Sequence, residues 1–211
     1  MKRITLALSS IFISQILPLL GKPELIISDK NIIIMVANAA IWLTQPPISS
    51  AETKQNKNRD KFSVLLILFF SIGSIVISVI DWGYFHHNIT WGYTVFIGLF
   101  FITVGIAFRA WAIQTLGKFF TATVQIKDDH KLIIKGPYSI VRHPSYLGAW
   151  LTIVGTTIFF NSYIALGFAI IGMGVSYYIR IKLEEKALIE IFGLQYLNYQ
   201  KKAKRIIPFI W

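Results

Sequence analysis

The chain has 211 residues, of which 55% are hydrophobic and 15% charged, where an ordinary soluble domain carries about 25% charged residues. With a mean hydropathy of +0.59, this composition excludes a disordered chain and an ordinary soluble globule. The formal net charge of +11, from 21 Lys+Arg against 10 Asp+Glu, leaves a membrane protein with basic loops or a nucleic-acid binder. The placement of the charges separates the two.

In chain order, residues 4–21, 31–51, 62–80, 82–108 and 144–179 contain no Lys, Arg, Asp or Glu. A membrane-spanning helix needs about 20 mostly apolar residues. Each of the first four stretches holds one candidate span. The fifth holds two, 146–160 and 163–179, with Asn161-Ser162 as the polar break. The expected fold is therefore all-α, a polytopic helical membrane protein with about six segments. The last two are short and form a tight hairpin, and a cytoplasmic C-terminal helix follows.

Placing the N-terminus in the cytoplasm puts 19 of the 21 basic residues on that side and leaves only Lys22 and Lys30 opposite. The positive-inside rule expects such a split for six spans with both ends cytoplasmic. Trp82, Tyr84, Trp91 and Tyr93 are expected as an aromatic belt at the far interface. The basic surplus is thus read as topology, and nucleic acid is not expected as a partner. The first apolar run has no A-x-A-like cleavage site and is read as a retained helix. No cysteine is present, so disulfides and thiolate-bound metals are excluded.

Residues 1–113 read as membrane helices with few polar groups for chemistry. The polar residues collect in the second part, 114–211, on the two flanks of the hairpin. Pro144 forces His143 into an extended conformation and suits the first turn of a helix. A helix N-terminus beside Arg142 and His143 can hold a carboxylate or a phosphate. A plain helix start with an interfacial Arg accounts for the same residues. Arg180 and Glu184, four apart, share a helix face, with Glu185 about 100° around it. They are either a surface ion pair or, beside the helix N-terminus, a holder for both ends of a zwitterion.

Three other features carry less. His86-His87 has no third ligand nearby, so no metal is expected. Gly172-Met173-Gly174 lacks the third glycine and the strand of a dinucleotide fingerprint and fits close helix packing. Lys201, Lys202, Lys204 and Arg205 form a juxtamembrane basic cluster able to attract anionic membrane lipid, with topology as its main cause.

From 116 to 208 the sequence resembles the isoprenylcysteine carboxyl methyltransferase family of integral-membrane enzymes. The resemblance rests on LGKFFTATVQ, HKLIIKGPYSIVRHPSYLG, RIKLEEKALIEIFGLQYLNYQKK and the closing RIIP. It implies S-adenosylmethionine held in a cytoplasm-facing pocket at the membrane edge, without a Rossmann fold. Carried onto matching positions, it implies cofactor contacts at Gln125, at His130, Lys131, Leu132 and Ile133, at Tyr138, and at His143, Pro144, Ser145 and Tyr146. Glu184 is implied as the acidic cofactor contact. Arg180 is implied as the group that holds the acceptor carboxylate, so the catalytic pair is Arg180 and Glu184.

The implied acceptor is lipophilic, enters from the bilayer and is O-methylated on a carboxylate, as in an isoprenylcysteine. Two alternatives stay open at this point. Phospholipid N-methyltransferases share a similar His-Pro and Glu-Glu arrangement but act on an amine, which needs a base. A non-catalytic relative or an NADPH-using, sterol-reductase-like protein is the other.

Overall fold

The computed structural model describes residues 2–45, 61–86, 91–120 and 131–208. Among them the regular elements are all helices, the α-helices being α1 (Lys2–Ile11), α2 (Asp29–Leu43), α3 (Lys61–Ile80), α4 (Tyr93–Leu116), α5 (Pro144–Phe159), α6 (Tyr163–Phe192) and α7 (Leu194–Lys202). A helix occupies each of the six predicted segments. This is the fold of a helical membrane protein. Its outer surface is apolar, with Val36, Leu65, Phe69, Phe96, Phe100, Ile164 and Ile171 exposed.

Among the described residues, three helical stretches are long and apolar enough to cross a membrane: Lys61–Phe85, Tyr93–Phe119 and Tyr163–Phe192. Arg3–Leu19 is a shorter apolar helix. With 15 and 16 residues, α2 and α5 reach only about 22–24 Å at about 1.5 Å per residue, less than a hydrocarbon core of about 30 Å.

The expected hairpin is present, turning at Asn161, whose φ of 58° places it in the left-handed region. Ser162 caps α6 by accepting from the Ala165 amide. The second helix is not short, however. It continues past Ile179 through Arg180, Glu184 and Glu185 to Phe192, because that sequence contains no helix breaker before Gly193. Gly193 ends it with φ 49° and donates its amide to the Ile189 carbonyl at 2.9 Å. Glycine is the residue that adopts this conformation without a Cβ penalty.

Nor do the two hairpin helices make the most intimate pair. That is α4 with α5, which meet through glycines spaced seven apart, about two turns. A Cβ on Gly105 would lie 2.6 Å from the Gly148 carbonyl oxygen. One on Gly155 would lie 2.8 Å from both the Gly98 carbonyl oxygen and the Ile102 amide nitrogen. Small residues let backbones touch where the lipid supplies no hydrophobic drive. The reading of Gly172 as a packing residue holds: on α6 it seats the Phe70 ring of α3.

Trp82, Phe159, Phe160, Val79, Leu19 and Ile34 form a buried cluster. Trp82 is 2% exposed, 5.0 Å from the Phe160 ring. It packs inward and does not join the expected belt, while Tyr84, Trp91 and Tyr93 are exposed. At the other end, the segment after α7 returns to the start of α5. Val141 bridges Lys204, and the Arg142 and His143 amides donate to the Lys204 and Arg205 carbonyls at 2.7 and 2.9 Å.

Candidate active site

The first turn of α5, the polar end of α6 and Tyr196 and Tyr199 of α7 converge on one cavity of about 890 Å³. That is near the top of the range of about 300–1,000 Å³ for small-molecule sites. Its mouth is polar, lined by His143, Tyr146, Arg180 and Glu184 with Lys131 and Tyr138. Its body is an apolar trench between α1, α2, α3 and α5, lined by Ile34, Ile41, Val64, Leu68, Ile75 and Ile153. From Val64 to Ile75 the trench follows eleven residues of α3, about 16 Å.

Tyr146 organises the mouth. Its hydroxyl donates to Glu184 Oε2 at 2.7 Å and accepts from Arg180 Nε at 3.2 Å. Its ring stacks between His143, 5.7 Å and 12° away, and Tyr177, 4.9 Å and 22° away. Arg180 also donates from Nη1 to Ser63 Oγ of α3 at 3.4 Å. Arg180 and Glu184 are therefore no surface pair. Arg180 is 4% exposed, and the two side chains meet at the Tyr146 hydroxyl inside the cavity.

Glu185, expected to point elsewhere, is the more deeply held acid, and it points into a second polar cluster. Arg142 donates to its Oε1 from Nε at 2.8 Å, and its Nη2 lies 2.7 Å from the same oxygen. Arg205 Nε donates to Oε2 at 3.1 Å, and His143 Nε2 lies 3.4 Å from Oε1. Arg142 Nη1 also donates to the carbonyls of Gln200 and Ala203. Arg142 is thereby engaged in a clasp between α5, α6 and the chain end. It lines the cavity, but its fork is already taken.

Of the residues expected at the site, Lys131, Leu132, Ile133, Tyr138, His143, Ser145, Tyr146, Arg180 and Glu184 all line this cavity. Pro144 is buried at the first position of α5, where its fixed φ starts the helix. Gln125 and His130 lie outside the described residues. Behind the mouth, the Tyr199 hydroxyl donates to the Tyr138 carbonyl. Burial raises the phenol pKa of Tyr138, Tyr196 and Tyr199 above the ordinary value, so these groups stay neutral at physiological pH.

Sequence reasoning did not foresee the part played by the N-terminal half. Arg109 on α4 is buried and lines the cavity, as do Ser10 of α1 and Asn38 of α2. Ser10 Oγ donates to Asn38 Oδ1 at 3.2 Å, and Asn38 Nδ2 donates to Ser14 Oγ at 3.3 Å. A signal was present: Arg109 stands four residues after Gly105, on the face that packs against α5.

The donor set fits a cofactor with an amino-acid end and a cationic centre. Glu184 offers a carboxylate to a cation at the mouth of the cavity. The profile of the isoprenylcysteine carboxyl methyltransferase (ICMT) family matches residues 96–190. Over 116 residues, 54% of the chain, it is 37% identical to protein-S-isoprenylcysteine O-methyltransferase B of Arabidopsis thaliana, covering 58% of that protein. It is 36% identical to the Saccharomyces cerevisiae protein-S-isoprenylcysteine O-methyltransferase over 116 residues, covering 48% of it. The aligned region thus spans about half the length of these two relatives. With the protein-S-isoprenylcysteine O-methyltransferase of Dictyostelium discoideum it is 31% identical over 178 residues, 81% of the chain and 71% of that protein. On this likeness, joined to the helical fold and the site motifs, the chain belongs to the isoprenylcysteine carboxyl methyltransferase family.

Proposed function

We propose that the protein is a membrane-embedded, S-adenosylmethionine-dependent methyltransferase that O-methylates the carboxylate of a lipid-modified, isoprenylcysteine-like acceptor. The observation that carries this reading is the shape of the cavity. A polar mouth with one acid and one buried arginine on a shared tyrosine hydroxyl opens into an apolar trench of about 16 Å. A polar cofactor and a carboxylate on a long apolar tail need those two environments side by side.

Glu184, Tyr146, Tyr138, His143 and Lys131 to Ile133 are the residues that would hold the cofactor, with Gln125 and His130 proposed from the resemblance. When bound, S-adenosylmethionine supplies a methyl group on a positively charged sulfur, the electrophile that a carboxylate oxygen can attack. Glu184 would hold the cationic amino group. Arg180 would orient the acceptor carboxylate, its own position fixed by Tyr146 and Ser63.

A carboxylate with a pKa of about 3.5 is ionised at neutral pH, so the chain need provide no base. Its contribution is positioning and the exclusion of water by Tyr177, Trp150 and Met173 beneath the mouth. The exposed Lys182 of α6 and Lys201 and Lys202 of α7 support a cytoplasmic mouth, following the charge asymmetry of the loops.

Titration of the detergent-solubilised protein with S-adenosylmethionine and with NADPH tests the cofactor. Micromolar binding of the first alone is expected. Binding of NADPH alone, or of neither, contradicts the proposal.

A further inference from the structure

Outside the cavity, one outward stripe of α6 changes character along its length. Ile171, Val175 and Tyr178 are exposed, and Lys182, also exposed, follows one turn later. At about 100° per residue these four side chains fall within about 60° of one another around the helix. From Tyr163, where α6 begins, to Lys182 the helix rises about 29 Å. That is close to a hydrocarbon core of about 30 Å. The stripe thus passes from acyl-chain depth at Ile171 and Val175 to headgroup depth at Tyr178 and Lys182. Tyrosine and lysine are the side chains that suit this level, each with an apolar body and a polar tip.

At headgroup depth the stripe gathers positive charge from two elements. Lys182 Nζ stands 4.4 Å from the centroid of the Tyr178 ring. Arg205, from the segment after α7, comes within electrostatic reach of the same tyrosine. Its Nε donates to Glu185 Oε2 at 3.1 Å, and its side chain stays 30% exposed. Glu185 is on this side of α6, seven residues after Tyr178, but its charge is already shared by Arg142 and Arg205. Lys186, a turn beyond Lys182, is exposed and adds a further cation. Glu184 lies about 160° around the helix and is held by Tyr146 in the cavity. The exposed acid of α6, Glu190, is about 12 Å further along. The patch is therefore cationic in sum.

We infer that Tyr178, Lys182 and Arg205 bind the headgroup phosphate of an anionic phospholipid, whose acyl chain lies along Val175 and Ile171. The inference is independent of the methyltransferase reading and needs only the membrane fold. The two cations give charge-assisted hydrogen bonds to phosphate oxygens. A zwitterionic headgroup brings an ammonium of its own, which these cations oppose, so a lipid with net negative charge is preferred. Free phosphate has the charge but no chain to cover the apolar stripe. Because Arg205 also holds Glu185, the bound headgroup rests against the clasp that includes Arg142 and His143. Binding to the folded state alone stabilises it by mass action.

The test is thermal unfolding of the full chain in neutral detergent, titrated with phosphatidylglycerol, phosphatidylcholine or inorganic phosphate. Phosphatidylglycerol is expected to raise the melting temperature saturably, and the other two to give no shift at equal concentration. Lys182→Gln should raise the half-saturating phosphatidylglycerol concentration about tenfold, the loss of one charge-assisted contact. Lys135→Gln removes the same charge from an exposed position before α5. It should change that concentration by less than about twofold, since salt screens a distant charge. No shift with phosphatidylglycerol, or an equal shift with phosphatidylcholine, overturns the inference. An equal shift with inorganic phosphate overturns the lipid as its source. Equal losses in the two variants, or none in Lys182→Gln, overturn the site on this stripe. Native mass spectrometry gives a second measurement on the same samples. Phosphatidylglycerol retained by the wild type should be lost in Lys182→Glu, and unchanged retention overturns the inference.

Discussion

Arg142 holds Glu185 through two nitrogens on one carboxylate oxygen, Nε at 2.8 Å and Nη2 at 2.7 Å, across 43 residues of sequence. The pair is buried, with side chains 7% and 5% exposed, and Arg205 takes the second oxygen. This clasp fixes His143 and the first turn of α5 against α6, and so sets the mouth of the cavity. Glu185→Ala should destabilise the protein by about 3–5 kcal/mol, because it leaves a buried guanidinium without its partner. Thermal unfolding in detergent checks this. A melting temperature unchanged from wild type would show that the clasp contributes little.

The neighbouring acid has the opposite expected signature. Glu184 is partly exposed in the mouth, with a side chain 30% exposed. Glu184→Ala should weaken S-adenosylmethionine binding by about tenfold or more, the loss of a charge-assisted contact, with little change in stability. Arg180→Ala should leave cofactor affinity nearly intact and abolish methyl transfer to a carboxylate acceptor. Equal loss of cofactor affinity in both variants, measured by calorimetric titration, would contradict the separate roles.

The seam between α4 and α5 positions Arg109 for the site. Gly105→Ala places a Cβ 2.6 Å from the Gly148 carbonyl oxygen, a backbone atom that cannot swing aside. Overpacking of this kind costs about 1–3 kcal/mol, and the helices should separate at the level of Arg109. The expected result is a lowered melting temperature in thermal unfolding in detergent, and a melting temperature equal to wild type would contradict tight packing at this seam. Gly167→Ala is the control, since nothing lies within 4 Å of its Cβ position.

The helices were legible because a span demands an uncharged run, and five such runs mark them. The pairing of their faces was not. Spacing on α6 correctly put Arg180 and Glu184 on one face, yet it could not say that the adjacent face, carrying Glu185, meets Arg142 and Arg205. Those partners come from elements far apart in sequence. Arg109 was counted with the basic residues that set orientation, because charge at the end of an apolar run has the same appearance whether it faces water or a cavity. Trp82 was misplaced for the same reason, since its large ring suits an interface or a core. The site motif itself was legible through His143, Tyr146, Arg180 and Glu184, whose spacing places them at two adjoining helix ends.

The membrane orientation is open to a direct check, because the chain contains no cysteine. Asn161 is exposed at the turn between α5 and α6. A cysteine introduced there should react with an impermeant maleimide added outside intact cells. Protection from outside, with labelling only after lysis, would mean that the hairpin does not cross.

The central claim is the identity of the methylated group, and a product assay with labelled S-adenosylmethionine reads it most directly. Membranes containing the protein are incubated with the labelled cofactor and an isoprenylcysteine acceptor, and the lipid-soluble product is treated with base. Volatile labelled methanol, released from a base-labile methyl ester, is the expected result. Label retained in a base-stable methylamine would contradict carboxylate O-methylation.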